Sequence, residues 1–320
     1  PDLRPYQHKM LDLPEAILPQ ENGLPPPQGK QIMRVNNRHY EVRQDPETQA
    51  FHLAHPQRSD AYRPPVTLNG SGACVLEGEQ PRTWSNTRLL RRLGPQTDGL
   101  SNTELEQVRV ISGVEYGALR QMYVKNEPTP PLLADTLKRF KNDHQIKASI
   151  EKIRMAQPLD SASSWFEQMV TELEGWPQDK ALRVYQHSDL SGDSRLYGSS
   201  TAQGDNVLTL STADVMSGQL PEKVVAFLDP QQLTRLLGET LPAPEQVLAL
   251  RDRLAEHVEQ QSQSLTRHLY LEQEATDDPH VQLLRTQYPD LPLSIAQRLV
   301  RHTRSRHLKV MSEDQRLPLD

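Results

Sequence analysis

From Gln31 the chain alternates: IMRVNNRHYEVRQDPETQAFHLAHP carries Ile32, Val35, Tyr40, Val42 and Phe51 in short runs separated by Asn36-Asn37 and Asp45-Pro46. Short apolar runs broken by tight-turn residues predict a β-meander. A further short strand is expected over Ala73 to Leu76, entered through the turn-prone Leu68-Asn69-Gly70-Ser71-Gly72. From Trp84 the period lengthens. SNTRLLRRLG predicts a helix with Gly94 as its C-cap, and LSNTELEQVRVISG sets Ser101 three residues before Glu104, the capping-box spacing, and stops at Gly113. VEYGALRQMYV continues the helical pattern. A longer run after the proline pair at 130 and 131 repeats Leu132, Leu133, Leu137, Phe140 and Ile146 at helical intervals.

Beyond residue 156 the pattern is mixed. SASSWFEQMVTELEGW spaces Trp165, Met169, Leu173 and Trp176 for one helical face, while ALRVYQHSD, SRLYGSS and NVLTLS read as strands separated by SGD and QGD turns. PEKVVAFLDPQQLTRLLGE returns to helix. A long helix is expected from about Pro244 to Glu274, with Val247, Leu250, Leu254, Val258, Leu265 and Leu269 as its buried stripe. Two shorter helices, each starting near a proline, close the chain. The expected fold is α+β and mainly helical. Its parts are a proline-rich extended lead-in over 1–30, a β-meander over 31–83, a helical unit over 84–156, and a mixed α/β unit with long C-terminal helices over 157–320.

Composition agrees with several small units. Hydrophobic residues make up 35% of the 320 and prolines number 26, too thin a supply for one large enzyme core. A formal net charge of -6 gives no general footprint for nucleic acid. A single cysteine can form neither an internal disulfide nor a cysteine-rich zinc site, and no apolar run reaches the roughly 18 residues of a membrane span. The start at Pro1 reads as that of an excised segment.

Candidate chemistry is sparse. In NGSGACVLEGE the glycines precede Cys74 and the following residues are apolar, then acidic, so the thiol reads as a buried apolar residue on a strand. The histidines never make an H-E-x-x-H or i, i+4 pair. His52 and His55, three apart on an expected strand, fall on opposite faces. DLSGDSRLYGSS at 189–200 starts like a calcium loop, with Asp189, Ser191 and Asp193, but has serine at its sixth and twelfth positions. Ser211-Thr212-Ala213 and Glu77-Gly78-Glu79 have the wrong order for ADP-ribosyl transfer. Arg120 and Gln121 stand among apolar neighbours, so the helical unit reads as packing helices and not as a DNA reader. No catalytic, cofactor or metal residue is assigned, and no small-molecule substrate is indicated. Arg301, Arg304, Arg306 and Lys309, in VRHTRSRHLK, are candidate contacts for an anionic surface.

Four stretches together carry a resemblance: RHYEVRQDPETQAFHLAHPQRSDAYRPPVTLNGSGA, the LLRRLG that follows Trp84, LSNTELEQVRVISGVEYGALRQMYVKNEPTPPLLADTLKRF, and DDPHVQLLRTQYPDLPLSIAQRLV. The chain resembles the dermonecrotic-toxin N-terminal-like region of large secreted toxins and effectors of Pseudomonas-type bacteria. PPLLADTLKRF and QYPDLP are its most specific parts. The resemblance implies a non-catalytic structural, targeting or interaction segment of a virulence protein that is secreted or delivered into a host cell. Its implied partners are a host protein or other domains of the same long chain, and it implies no cofactor. Some members of that family end in leucine-rich repeats and a NEL-type E3 ubiquitin ligase domain. The alternative implied is therefore a piece of a host-modifying enzyme whose catalytic domain lies elsewhere. Nothing in these residues resembles that ligase.

Overall fold

The computed structural model describes residues 2–8, 31–159 and 165–314, and the side chains of these except Gln31 and 307–314. The fold is α+β and mainly helical, with a curled antiparallel sheet near the N-terminus and a smaller mixed sheet. Cuts at Lys141/Asn142 and Glu272/Gln273 divide the chain into two compact units. One holds what precedes the first cut and follows the second, and the other is Asn142–Glu272.

In the first unit β1 (Gln7–His8), β2 (Gln31–Val35), β3 (Arg38–Gln44), β4 (Phe51–Ala54), β5 (Pro65–Leu68) and β6 (Cys74–Leu76) form an all-antiparallel sheet. β2 pairs with residues 38–42 of β3, while β1 and β4 follow one another along β3, opposite residues 39–40 and 41–44. Asn36 and Asn37, at φ 50° and 61°, make the two-residue turn between β2 and β3. Positive φ at both centres matches the twist of a hairpin. The register sends Met33, Tyr40, Val42, Leu53, Val66, Cys74 and Leu76 to one face, and there they close a core with Tyr6 and Val35. Tyr6 departs from the expected extended lead-in: its hydroxyl donates to the Tyr62 carbonyl at 2.6 Å and the next two residues pair with β3. Residues 9–30 of that lead-in lie outside the described residues. β5 was hidden in the sequence by Pro64-Pro65, yet proline is tolerated at the first position of a strand, where Pro65 sits.

The helices that follow are α1 (Asn86–Arg91), α2 (Asn102–Ser112), α3 (Tyr116–Lys125) and α4 (Pro131–Arg154). Ser85 and Ser101 cap α1 and α2. Ser101 forms the full capping box with Glu104, and Gly113 closes α2 at φ 70°. Their buried faces, with Trp84, Leu89, Leu105, Leu119, Met122, Leu133 and Leu137, make a second core to which β6 contributes Val75. Gly94 is not the C-cap of α1. Arg92 holds that position, and Gly94, at φ 133°, lies where an added Cβ would come within 2.9 Å of the Gly72 carbonyl oxygen. Glycine is needed there for a close backbone approach.

α11 (Pro279–Gln287) and α12 (Leu293–Asp314) belong to this same unit instead of closing the mixed one. The buried Glu274 shows why: it accepts from Lys138 of α4 at 2.7 Å and from the backbone N–H of Leu293 at 2.8 Å, while its carbonyl takes Arg285 at 2.6 Å.

The second unit contains α5 (Phe166–Thr171), β7 (Ala181–Tyr185), β8 (Ser194–Gly198), β9 (Val207–Ser211), α6 (Thr212–Met216), α7 (Leu220–Phe227), α8 (Pro230–Leu237), α9 (Ala243–Gln260) and α10 (Ser262–Gln273). β7 is central, antiparallel to β8 and parallel to β9. The expected single helix over 244–274 is broken at Gln261, within the wholly polar QQSQ, where no apolar side chain anchors the ladder. Ile146, Ile150 and Ile153 of α4 enter this unit's core with Phe166, Leu182, Val215, Leu236 and Leu254. The expected boundary at 156 therefore falls instead inside α4, a 24-residue helix. At 1.5 Å per residue it is about 36 Å long, enough to serve one core with its first half and another with its second.

Candidate functional site

The cysteine stretch is the first place to look for chemistry. Asn69 organises its turn: the side-chain oxygen accepts from Ser71 and Ala73 N–H at 2.9 and 3.0 Å, and the amide donates to Thr129 Oγ1 at 3.0 Å. The chain then enters β6 with Cys74 buried on the core face. Beside it lies a cluster that local sequence spacing does not reveal. Arg92, the residue that ends α1, is buried. It donates to both Glu79 oxygens at 2.6 and 2.7 Å and to the Cys74 carbonyl at 3.0 Å, with the sulfur 3.7 Å away. Glu79 also accepts from the Leu76 N–H at 2.7 Å and from Arg88. Both guanidinium groups stack on Trp84, 4.9 and 4.7 Å from its ring centre.

The electrostatics are those of a clamp, not a nucleophile. Burial pushes the Cys74 thiol above its ordinary range, and the Arg92 charge only partly offsets this. A reactive cysteine needs the opposite shift and a base in reach. Among the described residues no histidine bonds to this thiol. For Glu79, burial disfavours the charge, but the hydrogen bonds from Arg92 and Leu76 and the charges of Arg92 and Arg88 outweigh it and hold the carboxyl below its usual value. Burial likewise opposes the charge on Arg92, and Glu79 prevails, keeping it protonated. The adjoining cleft, about 510 Å³, is lined in part by the Arg34–Asp98 pair at 3.2 Å. Its remaining cations, Arg91 and Arg92, are committed to protein partners.

The other singled-out positions have plain structural roles. Arg120 donates to the carbonyls of Pro81, Arg82 and Trp84 and so holds α3 to the segment before α1. Asp189 accepts from Ser191 within its own turn. Ser211 is the N-cap of α6, its Oγ receiving the Asp214 N–H at 3.2 Å. Among the described residues no three histidine, cysteine, aspartate or glutamate side chains converge as for a metal, and no helix is long and apolar enough to cross a membrane.

Arg301, Arg304 and Arg306 lie on α12, where residues 301–306 are all exposed; Lys309 lies beyond the last described side chain. Arg304 reaches Asp278 at 3.3 Å. Arg298, one turn earlier, joins the same run, and neither it nor Arg301 and Arg306 has an ion-pair partner among the described residues. One expectation about the histidines is corrected. His55 follows the end of β4, so strand alternation no longer applies to it, and it lines the same groove as His52. Comparison with family models, with curated proteins and with solved structures gives no match for this chain.

Proposed function

We propose that this chain is a non-catalytic interaction segment of a larger secreted bacterial toxin or effector, and that the basic stretch of α12 contacts an anionic membrane surface. The toxin part of this reading rests on the sequence resemblance. The membrane part is carried by one observation: four arginines, Arg298, Arg301, Arg304 and Arg306, fall within nine residues of a helix that is exposed on every side from 301 to 306. No acidic residue occurs between Asp290 and Glu313. A cation near an anionic leaflet contributes about 1 kcal/mol, so the three without an ion-pair partner among the described residues give about 3 kcal/mol, a weak and salt-sensitive attachment that supplements contacts made elsewhere in a long chain.

Co-sedimentation with vesicles tests it. Binding to phosphatidylserine-containing vesicles at low salt is expected, with none to pure phosphatidylcholine. The bound fraction should fall at least tenfold in an R301Q/R304Q/R306Q variant that keeps the parent melting temperature. Equal binding by variant and parent removes the membrane reading. Covalent modification of a host protein by the purified chain would overturn the non-catalytic one.

A further inference from the structure

We infer that the groove on the outer face of the N-terminal sheet, at the junction of β3, β4 and the approach to β5, is a binding site for a small oxyanion of the phosphate class, held by Arg43, Arg63 and His52. Register places the groups. Val42 and Leu53 are cross-strand partners that face the core, so the next pair along the ladder, Arg43 and His52, faces outward together. His52 is also the partner of Pro65 on β5, and Arg63, two residues before Pro65, lines the same groove. The resulting groove has a volume of about 330 Å³, the size of a small ligand.

The charges in the groove are unevenly committed. Arg43 places Nε and Nη2 on one oxygen of Glu41, at 3.2 and 3.1 Å, which leaves Nη1 free of that bond. Asp45 turns its carboxylate into its own loop, accepting from the Glu47 and Thr48 N–H groups at 2.8 and 3.1 Å. Arg58 is partly balanced by Asp60 at 3.6 Å. Arg63 and the His52 imidazole have no hydrogen bond or ion pair among the described residues, so the groove holds an unpaired guanidinium and an unpaired imidazole side by side. His55 accepts two backbone N–H groups at Nδ1, both at 3.1 Å, which makes Nε2 the protonated nitrogen. A planar guanidinium with free N–H groups suits an oxyanion.

A second line of support is electrostatic. Burial first, then the charges of Arg63 and Arg43, depress the His52 pKa, against which Asp45 acts weakly. A bound dianion reverses the sign of that field, so binding should draw a proton onto His52 and raise its pKa.

The test is an NMR titration of the whole chain, following the His52 ring, with inorganic phosphate or O-phosphoserine against sodium chloride at matched ionic strength. A saturable shift with the phosphates alone is expected, together with a rise in the His52 pKa. Affinity should fall at least tenfold in Arg63→Gln and less than twofold in Arg58→Gln, and H52N should weaken binding while still folding. Tighter binding of phosphoserine identifies a phosphate monoester as the ligand, and equal binding identifies the free anion. The inference is overturned by an equal shift with chloride, by a non-saturable one, or by unchanged affinity in Arg63→Gln.

Discussion

Arg92 carries more of the fold than any sequence motif advertised. Its guanidinium ties the end of α1 to β6 through Glu79 and the Cys74 carbonyl in a nearly dry site. Removing one partner strands the other, so Arg92→Met should cost roughly 3 kcal/mol, and the double variant R92M/E79L should be less unstable than the sum of the two singles. Urea unfolding of the four proteins measures the coupling; a double variant as unstable as the sum of the singles would refute the clamp. Cys74 itself should react with a maleimide only as fast as the fold opens, since its thiol is buried and its pKa raised. Labelling of the native protein at the rate of a free thiol contradicts that. In the second unit Glu167 is buried on α5, with Oε2 lacking a hydrogen-bond partner among the described residues, and burial raises its pKa. Ionisation therefore costs more folded than unfolded. Stability is intact below the ordinary glutamate range and declines as pH rises through the raised folded value. E167Q should match the parent near pH 4 and be the more stable protein at pH 8. Melting temperatures across that range decide it, and a pH-independent difference rejects the assignment.

At the scale of elements, local rules and tertiary demands divide cleanly between neighbours. The α2 cap was legible because it is a purely local device: Ser101 Oγ takes the Glu104 N–H at 3.1 Å and Glu104 returns a bond to the Ser101 N–H at 3.0 Å. Ser101→Ala should lower stability by about 1 kcal/mol, and S101D should restore most of it; both are readable from urea midpoints. Gly94 looked like the same kind of signal and was not. Its need for glycine comes from the backbone of Gly72, twenty-two residues earlier, a contact that spacing within one helix does not encode. β5 was missed for a related reason, since Pro64-Pro65 suppresses the local strand signal while pairing with β4 and β6 supplies the ladder from outside.

For the whole molecule, α4 is the element whose role differs most from expectation. Leu133 and Leu137 pack in one core and Ile146, Ile150 and Ile153 in the other. Leu133→Ala should cost roughly 3 kcal/mol and reduce hydrogen-exchange protection in α1 to α3, leaving β7 to β9 protected; Ile146→Ala should do the reverse. Equal loss across α1 to α3 and β7 to β9 in either variant would show a single cooperative unit. The periodicity of the chain by itself determined the α+β class, the hairpin at Asn36-Asn37, the α2 cap and the apolar character of Cys74. Each depends on residues within a turn or two of one another, where propensity and backbone geometry act directly. Only the tertiary structure decided that α11 and α12 join the N-terminal unit, that Arg92 and Glu79 meet, and that His52 and His55 share a groove with Arg63. Those outcomes depend on burial of charge and on strand register between distant segments, and a buried ion pair or a cross-strand neighbour leaves no periodic trace in the sequence.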